Sequence, residues 1–502
     1  MSPIEEGAKL GGWFGLNDER QVLGDLTIAG QNTSLYLHDA DIIHFNNNDE
    51  CNLTGVLHDK TKVTLVDCHV RSMLGSAQRN EESYYFAEVE PLFVLSGDRL
   101  LDLRKPTVNR VIFHIDDAES VFYDFDAFGC VIEPEPLISD VVASNATRID
   151  SVIPTGPHPE ILYFTGRTEI ASVATRIGKF KVFHRPAVSR FGSPKSVGIQ
   201  DRVLTELTFG RAVFLSEAIA RVTTVLRFLE ILAGRPQNID WIQIGTSGAK
   251  KHSLLDLYWT LPPKRPADWE VKAPHPAELP IDAIRERQEF ENILKSWIGN
   301  DANRSEARHR FSDGFKSQNS FSIDRLVGAA NMFDLLPSAA LPPKPPIAAE
   351  VVDAKRRARY MFRQLPESDE RRGFLSALGR IGSLTLKRKI RHRAAIVSNA
   401  LRKPLAHLDV VTDEAVKCRN RFVHGTPGTF NYAENGGVIA FLTQALEFIF
   451  VASDLLDSGW DIQRWEAKGS MLAHPLSQVL CTWDLEAKRI IDLRQAARTE
   501  SQ

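Results

Sequence analysis

The sequence predicts an α+β multidomain chain: an N-terminal antiparallel β-sandwich-like domain followed by an all-α helical bundle. Three observations predict it. Up to about residue 200 the apolar residues come in short runs rich in Val, Ile, Phe, Tyr and Thr, bounded by Gly, Asn, Asp or Pro, the pattern of strands joined by turns. After Leu204 the apolar spacing becomes helical. Two proline-rich segments, 262–280 with six prolines and 337–346 with five, punctuate the second half. Proline neither continues a helix nor donates to a ladder, so both read as connectors.

The strand runs begin with Gly24-Asp-Leu-Thr-Ile28 and Ser34-Leu-Tyr-Leu-His38. Lys62-Val-Thr-Leu-Val66, Tyr84-Tyr-Phe-Ala-Glu-Val89, Arg110-Val-Ile-Phe-His114 and Lys179-Phe-Lys-Val-Phe183 continue the series. Several alternate polar and apolar, as a sheet does with one wet face. The first helical stripe runs Phe214, Ile219, Val222, Val225, Leu226, Leu229, Ile231, Leu232 and stops at Gly234-Arg-Pro236. Later stripes are Phe290, Ile293, Leu294, Trp297, Ile298; then Ile323, Leu326, Val327, Ala330, Phe333; then Ile439, Leu442, Leu446, Ile449. No repeat of fixed period is found. The expected division is a β domain at 1–200, a helical connector with a proline-rich linker at 201–280, and a helical domain at 281–485.

A length of 502 residues leaves room for two to four domains at roughly 100–200 residues each. Sixty-one Lys and Arg against 64 Asp and Glu give a net charge of −3. That excludes a polybasic coat or an acidic tail, so an anionic partner has to be met by a local patch. Cys51, Cys68, Cys130, Cys418 and Cys481 are odd in number, far apart and without a Cys-x-x-Cys pair, which argues against a disulfide framework or a cysteine-built zinc site. The opening residues carry no basic and apolar blocks of a signal peptide. The most apolar stretch, Val438 to Leu456, holds Gln444, Glu447 and Asp454 and reads as a buried helix, not a membrane span. A cytoplasmic location without membrane contact is expected.

No Gly-x-Gly-x-x-Gly, Walker A loop or Gly-x-Ser-x-Gly elbow occurs. Gly245-Thr-Ser-Gly-Ala-Lys250 lacks the Walker spacing. His38-Asp-Ala-Asp-Ile-Ile-His44 and His114-Ile-Asp-Asp117 hold ligand-type residues, but in strands and loops exposed polar residues are the ordinary reading. The segment Thr412-Asp-Glu-Ala-Val-Lys-Cys-Arg-Asn-Arg-Phe-Val-His-Gly425 differs. Thr412 suits an N-cap, Asp413 and Glu414 the positive helix end, and Gly425 a C-terminal stop. Asn420 and His424 then lie one turn apart on one face. Arg419 is about 140° away from His424, within reach of its long side chain. Val416, Phe422 and Val423 are left to pack.

A guanidinium, an amide and an imidazole at one helix end suit RNA cleavage by internal attack. A base takes the 2′-hydroxyl proton, an acid protonates the leaving 5′-oxygen, and a cation steadies the charged phosphorane. One imidazole cannot make both transfers at once; two copies facing each other, or Arg and Asn polarising the phosphate while His shuttles the proton, divide the work. No metal or other cofactor is called for.

Arg419-Asn-x-x-x-His424 resembles the Arg-x(4–6)-His motif of the HEPN ribonucleases. The opening Gly12-Trp-Phe-Gly-Leu16, Leu23-Gly-Asp-Leu-Thr-Ile28 and Leu35-Tyr-Leu37, with the helical Arg325-Leu-Val-Gly-Ala-Ala-Asn-Met-Phe-Asp-Leu-Leu336, is similar to the ApeA anti-phage proteins. Those join a β-rich N-terminal domain to a C-terminal HEPN domain. The resemblance implies an endoribonuclease leaving 2′,3′-cyclic phosphates, with Arg419, Asn420 and His424 at its site. It also implies a homodimer or higher even oligomer, and a role in abortive infection with the β domain as sensor of a phage-derived trigger. The spacing alone is weak, since Arg304–His309 and Arg402–His407 satisfy it too; Pro404 and a charged surrounding set those apart. Glu447 and Asp454 are candidates to orient the motif.

Charge is also uneven. Between Glu350 and Lys403 stand 15 Lys or Arg and five acids, and from Arg380 to Lys403 eight bases and no acid. Lys387, Arg388, Lys389, Arg391, Arg393, Arg402 and Lys403 are therefore the expected contacts to transfer or messenger RNA. The alternative is a non-catalytic ligand-binding β domain joined to a helical dimerisation and RNA-binding scaffold.

Overall fold

The structure, a computed structural model, describes residues 4–16, 20–45, 51–79, 82–149, 156–189, 198–248, 253–265, 273, 275–317, 320–344, 346–469 and 473–500. The chain divides into two compact units, Met1–Ile298 and Gly299–Gln502.

Six antiparallel strands open the first unit: β1 (Lys9–Gly15), β2 (Gln21–Thr27), β3 (Ser34–Asp39), β4 (Cys51–Leu57), β5 (Lys62–Arg79) and β6 (Glu82–Gly97). They run in the order β6-β3-β2-β1-β4-β5, and β5 pairs back onto β6, which closes a barrel. In β2 Val22, Gly24 and Leu26 face inward while Gln21, Leu23 and Asp25 face out. This period-two alternation puts Phe14, Leu26, Leu35, Leu37, Leu65 and Val89 in one dry core. The expected antiparallel β architecture thus takes the form of a barrel.

The chain continues through β7 (Val108–Ile115), helix α1 (Ala118–Val121), β8 (Phe128–Cys130), helix α2 (Glu135–Ile149) and β9 (Leu162–Phe164). Then follow β10 (Glu169–Thr175), β11 (Gly178–His184), the pair β12 (Ala187–Ser189) and β13 (Gly198–Gln200), and β14 (Val203–Val213). Helix α3 (Leu215–Ala233), β15 (Ile239–Thr246) and β16 (Leu254–Trp259) complete the strand-bearing region. The barrel strand β6 is shared with an open sheet ordered β10-β11-β14-β7-β15-β16-β6. One face of it packs against α3, whose Val222, Val225 and Leu229 are wholly buried. Phe180 of β11 and Phe228 of α3 both meet Phe290 there.

Residues 201–280, expected as a helical connector, therefore supply β14, β15 and β16 to this sheet as well as α3. A cut at residue 200 would strip β14 of β11 and β7, β15 of β7 and β16 of β6, their hydrogen-bonding partners. The α3 stripe is strong enough to mask the strands around it, and their partners lie up to a hundred residues or more away along the chain. Part of the 262–280 proline segment falls outside the described residues.

Helix α4 (Arg287–Lys316) contains the boundary between the units. The second unit is all helical: α5 (Ile323–Asn331), α6 (Ala349–Arg363), α7 (Asp369–Arg380), α8 (Leu386–Ala400), α9 (Leu408–His424), α10 (Gly436–Asp457), α11 (Ile462–Ala467) and α12 (Pro475–Glu500). Helix α10 is the axis, in contact with α5, α8, α9 and α12. It is long and apolar enough to cross a membrane, but its apolar length is buried inside the unit. Its polar residues meet buried partners. Glu447 accepts two hydrogen bonds from Arg325, both at 2.8 Å. Asp454 pairs with Arg304 and Arg308.

Candidate active site on the α9 helix end

Helix α9 begins a turn before Thr412. His407 precedes it in the left-handed region, and Thr412 sits inside with its hydroxyl donating to the Leu408 carbonyl at 2.9 Å. Thr412 is therefore not the N-cap: burial of Val411 and Ala415 extends the helix backward, and a threonine able to cap also back-bonds within a helix. The other end follows the sequence. Gly425 adopts φ 67°, where side chains are strained, and its N–H closes the helix on Arg421 O.

At that end Arg419, Asn420 and His424 converge. Arg419 Nη1 donates to Asn420 Oδ1 at 3.1 Å and to His424 Nε2 at 2.9 Å. A guanidinium has only donors, so His424 Nε2 carries the lone pair and the ring proton sits on Nδ1. From α5, Asn331 Oδ1 accepts from Arg419 Nη2 at 3.4 Å. His424 is exposed, whereas Arg419 and Asn420 are half-buried. A fixed base thus faces solvent beside a positioned cation.

Asn331 was not among the residues the sequence singled out for chemistry. It lies 88 positions from Arg419, with no local spacing to connect the two. Glu414, read as suiting the positive helix end, lies inside α9 instead. It is fully buried and accepts from Tyr432 Oη at 2.6 Å and Thr429 Oγ1 at 3.1 Å, so it ties the segment after Gly425 back to α9. Burial and this carboxylate together raise the Tyr432 phenol well above its ordinary range. Cys418 is buried behind the motif, and burial pushes its thiol up to about 12, leaving it unreactive.

Phe422 and Val423 pack only in part: they stand 38% and 43% exposed near His424, and the Phe422 ring meets Tyr432 at 6.2 Å. Glu447 and Asp454 do not orient the motif, since their partners are Arg325, Arg304 and Arg308. Arg304 is buried against Asp454, and Arg402 lies outside any helix, so neither alternative Arg-x(4)-His pair forms a comparable helix end.

The run at 387–403 is acid-free in sequence but not in space. Lys387 lies 2.6 Å from Asp413, and Arg391 grips the same carboxylate through Nε at 2.9 Å and Nη2 at 2.8 Å. Lys389 pairs with Asp334 at 2.8 Å and Lys403 with Asp484 at 2.5 Å. Arg393 is buried and bonded to Ser453 and Asp457. It cannot meet a phosphate, which corrects its expected role. Arg388 and Arg402 remain exposed.

Among the described residues no group of three or more His, Cys, Asp or Glu is arranged to hold a metal ion. His114 instead bridges two carboxylates, Asp240 at 2.6 Å and Glu119 at 2.9 Å. Burial opposes its charge, yet these two hydrogen bonds outweigh it and raise the imidazole to about 9. A raised histidine contributes stability that is complete below its ordinary value and is lost as pH rises through the folded one. Wild type is expected to lose about 1–2 kcal/mol between about pH 6.5 and 9, after allowance for screening at the half-exposed carboxylates. Urea denaturation across that range should show this slope in wild type and not in His114→Gln; parallel slopes would refute it.

An all-helical unit carrying Arg-Asn-x-x-x-His at the end of one helix defines a HEPN-type domain, a class generally of nucleases, and residues 327–463 match the family described as Apea-like HEPN. Residues 9–297 match ApeA N-terminal domain 1. The chain belongs to the ApeA-like family, with a β-rich N-terminal domain and a C-terminal HEPN domain. Comparison with curated proteins and with solved structures gave no match.

Proposed function

We propose that this protein is a metal-independent endoribonuclease that cleaves cellular transfer or messenger RNA in anti-phage defence. The observation that carries the reading is the 2.9 Å contact of Arg419 Nη1 with His424 Nε2 on an exposed helix end. An incoming phosphate draws the guanidinium onto its non-bridging oxygens, a charge-assisted bond stronger than the neutral one it replaces. Nε2 is thereby released to take the 2′-hydroxyl proton. The 2′-oxygen attacks phosphorus, the bond to the 5′-oxygen breaks, and that oxygen leaves with a proton from a second acid. The products are a 2′,3′-cyclic phosphate and a 5′-hydroxyl, with no water consumed.

The second acid is supplied, in this reading, by His424 of a second copy. Exposed Phe422 and Val423 support it, because apolar side chains flanking a charged site are what an interface would bury. Phe422→Glu is expected to convert the oligomer to monomer and to remove cleavage with it. Light scattering and an RNA assay check this; a monomer of full activity would refute the composite site. The N-terminal unit is proposed as the regulator that answers a phage-derived trigger, a role supported by family membership. The overall reading is tested by incubating the protein with total cellular RNA in EDTA, with and without infected-cell extract, and mapping fragment ends. Cyclic-phosphate ends are expected. Intact RNA under both conditions, or cleavage only on adding a divalent metal, would overturn it.

A further inference from the structure

Strands β4 and β5 pair in regular register from Val56 opposite Lys62 to Leu53 opposite Leu65. Continued unbroken, that register would set Cys51 opposite Asp67. Instead Val66 and Asp67 together oppose the single Asn52, a β-bulge, and Cys51 comes to face Cys68. The bulge is held on both strands. Asp67 adopts φ 51°, in the left-handed region that an aspartate tolerates better than most residues, and its N–H donates to Asn52 Oδ1 at 2.9 Å. The same step keeps both thiols on the inner side: Cys68 belongs to the barrel core and Cys51 packs against it.

Directly opposed residues of antiparallel strands hold their Cα atoms about 4.5–5.5 Å apart, within the roughly 4.4–6.8 Å that a disulfide spans. Both cysteines are free thiols, and Cys68 donates a hydrogen bond to the Cys51 sulfur. The pair is asymmetric. Cys51 is half-buried at the edge of the core, whereas Cys68 is only 8% exposed. That hydrogen bond lowers the Cys51 thiol from its ordinary value; giving it, together with burial, keeps Cys68 protonated. A reachable sulfur that ionises readily, beside a protected thiol, is the arrangement in which one cysteine is oxidised and the other resolves it.

We propose that Cys51 and Cys68 form an oxidation site for hydroperoxides, closing to a disulfide that staples β4 to β5. The Cys51 thiolate attacks one peroxide oxygen. The O–O bond breaks, and the other oxygen leaves as an alcohol, or as water from hydrogen peroxide, with the proton that Cys51 gave up. Cys51 is then a sulfenic acid. The Cys68 sulfur attacks it, the S–O bond breaks, and the hydroxide leaves as water with the Cys68 proton. The two thiols lose two electrons and the peroxide gains them. In a reducing compartment such a bond is transient, which suits a sensing site and not a permanent cross-link. The site lies in the N-terminal unit and does not depend on the chemistry proposed for α9.

The test treats reduced full-length protein with hydrogen peroxide, alkylates the remaining thiols under denaturing conditions and maps peptides by mass spectrometry. Two of the five thiols should disappear together, recovered as a dithiothreitol-sensitive cross-link between the peptides that hold Cys51 and Cys68. Exposed Cys130 and Cys481 are internal standards, and the cross-link should form before either of them is oxidised. In Cys68→Ser, dimedone should trap a sulfenic acid on Cys51; in Cys51→Ser, Cys68 should stay a thiol through the same treatment. The wild-type mapping requires neither variant to fold. Oxidation of Cys51 no faster than that of Cys130 and Cys481 overturns the proposal. So does oxidation that joins Cys51 or Cys68 to a third cysteine or to a second copy instead of to each other.

Discussion

His424→Ala is expected to lose RNA cleavage by about 10²–10⁴-fold while melting at the wild-type temperature. The first half follows from the proposed mechanism: Nε2 is the imidazole lone pair that Arg419 holds at the exposed α9 end, and it is the base that reading assigns to the 2′-hydroxyl. The second follows from exposure. An exposed side chain away from buried networks changes stability by within about 0.5 kcal/mol, and the helix stop at Gly425 does not depend on it. Arg419→Lys should fail to restore the activity that Arg419→Ala loses, because an ammonium cannot reach Asn420, Asn331 and a phosphate at once as the planar fork does. Single-turnover cleavage and scanning calorimetry on the same preparations decide the matter. Unchanged cleavage with a melting temperature several degrees lower would make the motif a structural helix end, and the helical unit a scaffold.

That the motif could be read from sequence at all depends on its being local. Arg419 and His424 belong to one helix, and helical geometry with a glycine stop is enough to bring them together. The strand runs within β2, β3, β5, β6, β7 and β11 and the apolar stripes of α3 and α10 are legible for the same reason, since each reports its own neighbours in the chain. Pairings between distant segments leave no such trace. Nothing in Ser34–Asp39 announces that it pairs with Glu82–Gly97, and nothing in Ile239–Thr246 points to Val108–Ile115. The basic run at 387–403 is the instructive failure. Spacing counts its own charges but not Asp334, Asp413 and Asp484, which reach it from other segments. Arg393 looks like its neighbours in sequence, yet its helical phase turns it into the bundle, where Ser453 and Asp457 wait.

The bundle rests on similar buried charge, and Asp454→Ala is expected to be the most destabilising single change in the HEPN unit. The carboxylate sits between two arginines. Arg304 Nη1 is 2.5 Å from Oδ1, Arg308 Nε is 2.9 Å from Oδ2, and both guanidiniums are nine-tenths or more buried. Asp457 and Asp301 each satisfy one more arm. Taking Asp454 away leaves two cations in the core with half their partners, and a broken buried pair costs about 3–5 kcal/mol. For a unit of this size that corresponds to a melting temperature lower by on the order of 10 °C. The pH dependence has a definite sign. Burial works against ionisation of Asp454, but Arg308 and Arg304 outweigh it and hold the carboxyl below its usual range. Its contribution is therefore present above the ordinary carboxylate value of about 4 and is lost as pH falls through the lower native one. Wild type and Asp454→Asn should differ by several kcal/mol in urea at neutral pH and converge in acid. A gap that persists into acid, or none at neutral pH, would show that packing around α10 and not this charge cluster holds the bundle together.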